Sequence, residues 1–485
     1  MKRRPFAFIF LPCLALALAL PAMRAVAADL PDLGEVGAEE LSPAQESQLG
    51  EEIMREVRKD PAWLDDPLIE EYIDRLGQRL AAASNAAPRN FSFFVIKNNT
   101  LNAFALPGGY IGVHSGLILA AQSESELAGV LGHEIGHVTQ RHLAQLVGKQ
   151  KKLGAAMLIA SLLAALANNS QVGEAAMVAG MAGTAQAQLG YSRDFEREAD
   201  RIGLQTLEAA GFDARGMAGF FERLQRASRL YENNAPAYLR THPLTTERIA
   251  DMENRLMGLR YRQVPDSPDF RYVRARLRMQ SLPAADALRT FASLVESAPG
   301  DEALRYGLAL AQLRLGRLDE AAGELAELRR RAAAPSPFIV ILSSDLAMAR
   351  RDAGAAIAEL AAASRAFPAS MSVSYALAEA CIGGGRPEEA AREIRRILGG
   401  HGGDPRLWQL LSRANVALGK HAARHRAQAE AYILQGSYRA AFEQLELARK
   451  AGDGDFYEMS AIDARLREIR ERVREERRRA QKNER

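Results

Sequence analysis

Cysteine is nearly absent, with Cys13 and Cys381 the two in 485 residues. Cys13 sits in an apolar stretch, residues 6–20, that follows Lys2, Arg3 and Arg4 and runs on to Ala25, Val26 and Ala27. That order is the order of a signal peptide cleaved after Ala27, which predicts export to the periplasm. Cys13 leaves with it, so Cys381 has no partner and an intrachain disulfide is excluded. Also missing is an apolar run of the ~20 residues that a spanning helix needs. The leader has about 15, and a second block at 153–166 about 14, which predicts a buried helix or hairpin lid and leaves peripheral membrane contact open. Excess charge is missing too: losing residues 1–27, with four basic residues and no acidic one, takes the formal balance from +3 to −1. A near-neutral chain offers no electrostatic reason to expect nucleic acid as a partner.

The length exceeds what one hydrophobic core organises, so two or three domains are expected. Residues 28–50, rich in Gly, Pro and acid, read as an exposed leader. Helical periodicity follows, then short β-rich pieces at 93–96, 102–105 and 110–113, separated by Asn98-Asn99 and by Pro107-Gly108-Gly109. They predict one small sheet. Ser123 with Glu126 is a capping box that opens the next helix. Near residues 265–268 the aromatic and β-branched content drops. The segments 286–291, 320–325, 355–360 and 389–394 then match at spacings of 34, 35 and 34, the tetratricopeptide period. Gly316 and Gly385 precede second helices, and Pro299, Pro335, Pro368 and Pro405 fall near repeat ends. A further unit at 436–445 keeps the pattern at irregular spacing. Such helix pairs bury their apolar faces only by stacking, into a solenoid with a concave binding surface. Residues 463–485, dense in Arg and Glu with a stripe of Leu466, Ile469 and Val473, read as a solvated terminal helix. The expectation is a mainly α chain: a small-sheet domain over 51–262, a solenoid over 268–450 and a charged helix or tail over 451–485.

The run His133-Glu134-Ile135-Gly136-His137 falls inside a predicted helix. Residues four apart share a face, so both imidazoles can meet one metal ion. Glu134 projects about 100° away, where a carboxylate can accept a proton from water. Leu127, Val130, Leu131, Ile135 and Val138 give the helix an apolar face, and Gly132 and Gly136 thin its packing near the metal. A catalytic zinc needs a third protein ligand and an open position. Glu196 and Glu198 both qualify by pattern, and Asp200, one turn beyond Glu196, can accept the free ring N–H of a ligating histidine.

These residues, with Glu-Arg-Glu-Ala-Asp at 196–200, Asn-Ala-Phe-Ala-Leu-Pro-Gly-Gly at 102–109 and Thr-His-Pro at 241–243, resemble the zinc peptidases related to HtpX and the CAAX prenyl proteases. Within them the chain is most similar to the periplasmic BepA-like branch, which also carries C-terminal tetratricopeptide repeats. The resemblance implies a zincin-like peptidase domain holding one zinc per chain. It selects Glu196 over Glu198 as third ligand, and it implies that His242 lies near the zinc and keeps the enzyme latent until it swings away. It further suggests that an edge strand at Asn102, Ala103, Phe104 and Ala105 pairs with extended substrate. His242 or Arg248 is a candidate to stabilise the developing oxyanion. The implied partners are misassembled envelope proteins and, through the repeats, the outer-membrane assembly machinery. Assembly scaffolding with secondary or latent proteolysis is the competing expectation. The chain lacks the spanning helices of HtpX and the prenyl proteases, so their integral-membrane biology is not carried over.

Overall fold

The computed structural model describes residues 41–84, 90–149, 193–229, 237–259 and 262–483. The expected signal peptide, most of the expected leader and the apolar block at 153–166 lie outside them. The chain is helical from Pro43, inside the stretch expected as leader. Ser42 and Gln45 cap Pro43–Val57 (α1) reciprocally, and Pro43 stands at the first helical position, where no backbone N–H is needed. Gly50 lets this helix lie on the turn at Pro107, whose carbonyl oxygen would be 2.1 Å from a Cβ there. Asp66 caps the next helix, Pro67–Ala83 (α2).

Three strands follow: Ser92–Ile96 (β1), Ala103–Leu106 (β2) and Tyr110–His114 (β3), in the order β1-β3-β2. The central strand runs parallel to β1 and antiparallel to β2. Alternation sends Phe93, Val95, Ala103, Ala105, Ile111 and Val113 into the main core, and Phe94, Ile96 and Leu106 against α1. The outer edge of β1 is covered, because Lys97 N donates to Ala62 O and Leu64 N to Val95 O. The edge of β2 is different. Asn102 precedes the strand, and its carbonyl accepts from His114 N. By alternation Phe104 also faces β3, so the backbone groups of Ala103 and Ala105 turn outward. Among the described residues no backbone group pairs with them there.

Below the sheet pack Ser115–Ala120 (α3), Glu124–Thr139 (α4), His142–Lys149 (α5), Arg193–Ala209 (α6), Arg215–Arg229 (α7), Ala237–Thr241 (α8) and Thr246–Met257 (α9). Ser123 caps α4, and every residue over 124–137 is buried. That helix approaches its neighbours through glycine. A Cβ on Gly129 would sit 2.8 Å from Met217, and one on Gly136 3.0 Å from Ala199. Among the described residues, no helix is long and apolar enough to cross a membrane.

The chain then becomes a helical-repeat solenoid. First helices open at Pro268, Glu302, Pro337, Met371 and Pro405, and second helices at Ala284, Leu318, Ala353, Pro387 and His421. Four of the five short turns within pairs use a left-handed residue, Gly316, Gly385 and Gly419, with Arg351 taking that place at φ 63°. The irregular spacing of the unit at 436–445 has a simple origin. Two helices, Pro405–Ala417 and His421–Leu434, stand between Pro387–His401 and Tyr438–Ala451. The second of them buries small residues, Ala422, Ala427, Ala429 and Ala431, without the Glu-Ala-Ala that marks Leu318–Arg331 and Pro387–His401. The terminal helix, Phe456–Asn483, is anchored: Ile462, Leu466 and Ile469 are buried with Ala429, Ala441 and Leu445, which closes the end of the stack. The small-sheet domain and the solenoid meet along α2. There Arg276 binds Asp66 at 2.6 Å, Arg406 binds Glu70 at 2.7 Å, and Glu71 accepts from Ser372 N at 2.9 Å.

Candidate active site

The helical period of α4 brings His133 and His137 onto one face, with their Nε2 atoms 3.0 Å apart. Helix α6 lies against that face and presents Glu196, whose carboxylate oxygens are each 3.5 Å from one of those nitrogens. From the end of α8, His242 places Nδ1 at 3.0 Å from Glu196 Oε1 and 3.4 Å from His133 Nε2. One donor atom from each of His133, His137, Glu196 and His242 lies within 4.8 Å of all the others, and all four residues are buried. Imidazole nitrogens and one carboxylate converging in this way suit zinc. Glu134 is fully buried beside Tyr238, and among the described residues no hydrogen bond of ordinary length and angle reaches its oxygens. Its Oε1 is 3.6 Å from His242 Nε2.

Around this centre stands a second layer. Asp200 Oδ1 is 2.9 Å from His133 Nδ1. Arg248 donates to both Asp200 oxygens at 2.7 Å and to the Pro243 carbonyl at 2.8 Å, and pairs with Glu196 Oε2 at 2.6 Å. Arg248, expected as a candidate to stabilise the oxyanion, is thus buried in an ion-pair cluster behind the histidines. A buried guanidinium requires compensating partners, and these three take four of its five N–H groups. Glu198, the competing ligand by pattern, points elsewhere, with Oε2 3.3 Å from His142 Nε2. His142 and Tyr238 went unnoticed in the sequence. His142 Nδ1 lies 2.9 Å from His137 Nδ1, and Tyr238 stacks on His242 at 4.6 Å between ring centres. The available signals were a third histidine five residues beyond His137 and an aromatic one helical turn before His242.

The charges follow from this packing. Burial works to raise Glu196, but His242 and His133 outweigh it and hold the carboxyl well below its usual range. Asp200 is likewise lowered against its burial, by hydrogen bonds from His133 and Arg248. Burial opposes charge on His133, yet Asp200 and Glu196 lift it to about 9. His137 goes the other way, pushed far down by burial and by the neighbouring charge of His133. Glu134 is raised, chiefly by burial, with partial relief from His242 and His133.

Nearly the whole chain aligns with known proteins. It is 35% identical over 462 residues to the beta-barrel assembly-enhancing protease of Escherichia coli strain K12, covering 93% of each chain. The chain belongs to peptidase family M48, in the branch of the beta-barrel assembly-enhancing proteases. The M48 family pattern matches residues 67–256, and tetratricopeptide patterns match 272–337 and 347–414. The putative beta-barrel assembly-enhancing protease of Vibrio cholerae is 36% identical over 467 residues, covering 94% of this chain and 96% of that one. A shorter similarity, 31% over 182 residues, links 38% of this chain to 51% of the mitochondrial metalloendopeptidase OMA1 of Schizosaccharomyces pombe. Membership in M48 makes this chain a zinc metalloendopeptidase, with tetratricopeptide repeats of the kind that bind other proteins.

Proposed function

We propose that the chain is a periplasmic endopeptidase of envelope-protein quality control that cleaves misassembled outer-membrane proteins. In this reading one zinc ion is held by His133, His137 and Glu196, and the solenoid receives assembly partners. The observation that carries it is the buried cluster of His133, His137, Glu196 and His242 beside the Glu134 carboxylate. Zinc, when bound there, supplies Lewis acidity that acidifies a water and polarises the scissile carbonyl. Glu134 takes a proton from the attacking water and passes it to the departing amine. Burial favours this role, because a carboxyl raised toward the working pH returns its proton more readily. Asp200 keeps the His133 proton on Nδ1, leaving Nε2 free to bind metal. The outward backbone groups of Ala103 and Ala105 receive an extended substrate. His242 acts as a latch on the fourth position. Kinship with the beta-barrel assembly-enhancing proteases supports the substrate class, and the signal-peptide pattern over 1–27 supports the location.

The test is Glu134→Gln in the full chain. Casein cleavage should disappear while one zinc per chain remains; cleavage that persists sinks the mechanism. The competing reading, an assembly scaffold with proteolysis secondary, draws on the cleft of about 1180 Å³ between α2 and the solenoid, lined by Lys59, Glu71, Tyr375 and Arg406 among others. If Glu134→Gln restores envelope integrity to cells lacking the wild-type protein, scaffolding dominates.

A further inference from the structure

We propose that His142 is a positioning residue for the metal site, fixing the proton and ring orientation of His137 and being itself held by Glu198. This rests on the reading that His137 binds zinc through Nε2. A metal on Nε2 needs the lone pair there, so the His137 proton sits on Nδ1. Nδ1 faces His142 Nδ1 at 2.9 Å, and that atom accepts only if the His142 proton is on Nε2. Nε2 in turn lies 3.3 Å from Glu198 Oε2, a carboxylate acceptor. One tautomer assignment therefore satisfies the whole line, His137 to His142 to Glu198. It runs beside the line from His133 to Asp200 to Arg248, so each ligating histidine has its own backing group.

The chain goes to some trouble to put His142 there. Helix α4 ends at Thr139, and Arg141 adopts φ 53°, a left-handed conformation that a side chain disfavours. That turn brings His142 back against His137. The arginine is held in place by Glu46 Oε2 at 3.1 Å and the Leu41 carbonyl at 2.6 Å, both from the start of the described chain. His142 is fully buried, and its ring lies flat on Phe195, 4.3 Å between centres and 11° from parallel. Phe195 and Glu198 both stand on α6, the helix that presents Glu196. A single helix thus carries one metal donor and the two groups that fix His142.

The experiment strips the full chain of metal and titrates it with Zn2+ against a chromophoric chelator. His142→Ala should raise the zinc Kd by about 10–100-fold. Glu198→Ala should raise it by about threefold to tenfold, as for one lost hydrogen bond. The double variant should bind no worse than His142→Ala alone, because Glu198 acts only through His142. His142→Gln, whose amide oxygen can accept from His137 Nδ1, should recover most of the affinity, which a loss of packing alone would not predict. The melting temperature of metal-free Glu198→Ala should match that of the wild type. A zinc Kd for His142→Ala within about twofold of wild type, or losses that add in the double variant, overturns the proposal. If His142→Ala does not fold, unchanged zinc binding in Glu198→Ala overturns it instead. A wild-type chain that binds no zinc refutes the assignment of His133, His137 and Glu196 as ligands, a result distinguishable from failure of the variants.

Discussion

Replacing Gly203 by alanine adds one methyl group where α6 crosses α4. A Cβ at that position lies 3.0 Å from the His133 amide nitrogen, 3.1 Å from its Cα and 3.2 Å from the Gly132 carbonyl carbon. All three atoms are backbone in a buried helix, so no side chain can swing aside. Carbon contacts settle at about 3.5–4.0 Å, which requires the two helices to part by roughly 0.5 Å. Glu196 rides on one helix and both histidines on the other, while ligand distances at a metal tolerate only about 0.2 Å. Overpacking of this kind costs about 1–3 kcal/mol. At about 1.4 kcal/mol per factor of ten, zinc affinity should fall by roughly tenfold to a hundredfold. Chelator competition on Gly203→Ala measures it. The control is Gly323→Ala in the solenoid, where an added Cβ meets nothing within 4 Å and zinc binding should not change. A Gly203→Ala chain that binds zinc as the wild type does refutes the idea that helix spacing sets the donor geometry.

Two further outcomes are expected. His242→Ala removes a side chain that touches Glu196 and faces Glu134. Casein cleavage should rise, by about tenfold for a latch shut some nine-tenths of the time; equal or lower cleavage with zinc retained rules the latch out. His114 concerns acid stability. It is the buried last residue of β3, with Nδ1 2.8 Å from Thr100 Oγ1, and burial lowers it to about 4. The unfolded chain takes this proton near pH 6.5 and the folded chain does not, so the native state loses stability as pH falls from about 6.5 to 4, by about 3 kcal/mol. His114→Gln cannot titrate and should lose less in urea unfolding followed from pH 7 to 4. Identical acid sensitivity in the two proteins would count against the assignment.

Much of the architecture is legible along the chain because it depends on local periods. Strands over 92–96, 103–106 and 110–114 lie within a residue of the alternating segments bounded by Asn and Gly turns. The 34-residue rhythm survives in the helix starts at Ala284, Leu318, Ala353 and Pro387. Where the local signal weakens, so does the reading. The helix His421–Leu434 hides because alanine spacing without Glu-Ala-Ala says little, and Pro43–Val57 hides because a polar, glycine-containing helix resembles a loop until something packs on it.

The sequence by itself determined that His133 and His137 share a helix face with Glu134 beside them, since a spacing of four in a 3.6-residue helix leaves no alternative. It also determined that the second half of the chain stacks as helix pairs. Glu196 and Glu198 were equivalent by composition, and only the close approach of α6 to α4 at Gly132, Gly136 and Gly203 turned one toward the histidines and the other toward His142. His242, 109 residues from His133, is marked only by the Thr-His-Pro at 241–243 through which the resemblance runs, and Arg248 by nothing local. Their surroundings were decided by tertiary structure, because a buried charge is defined by the partners that compensate it, and those partners come from other helices.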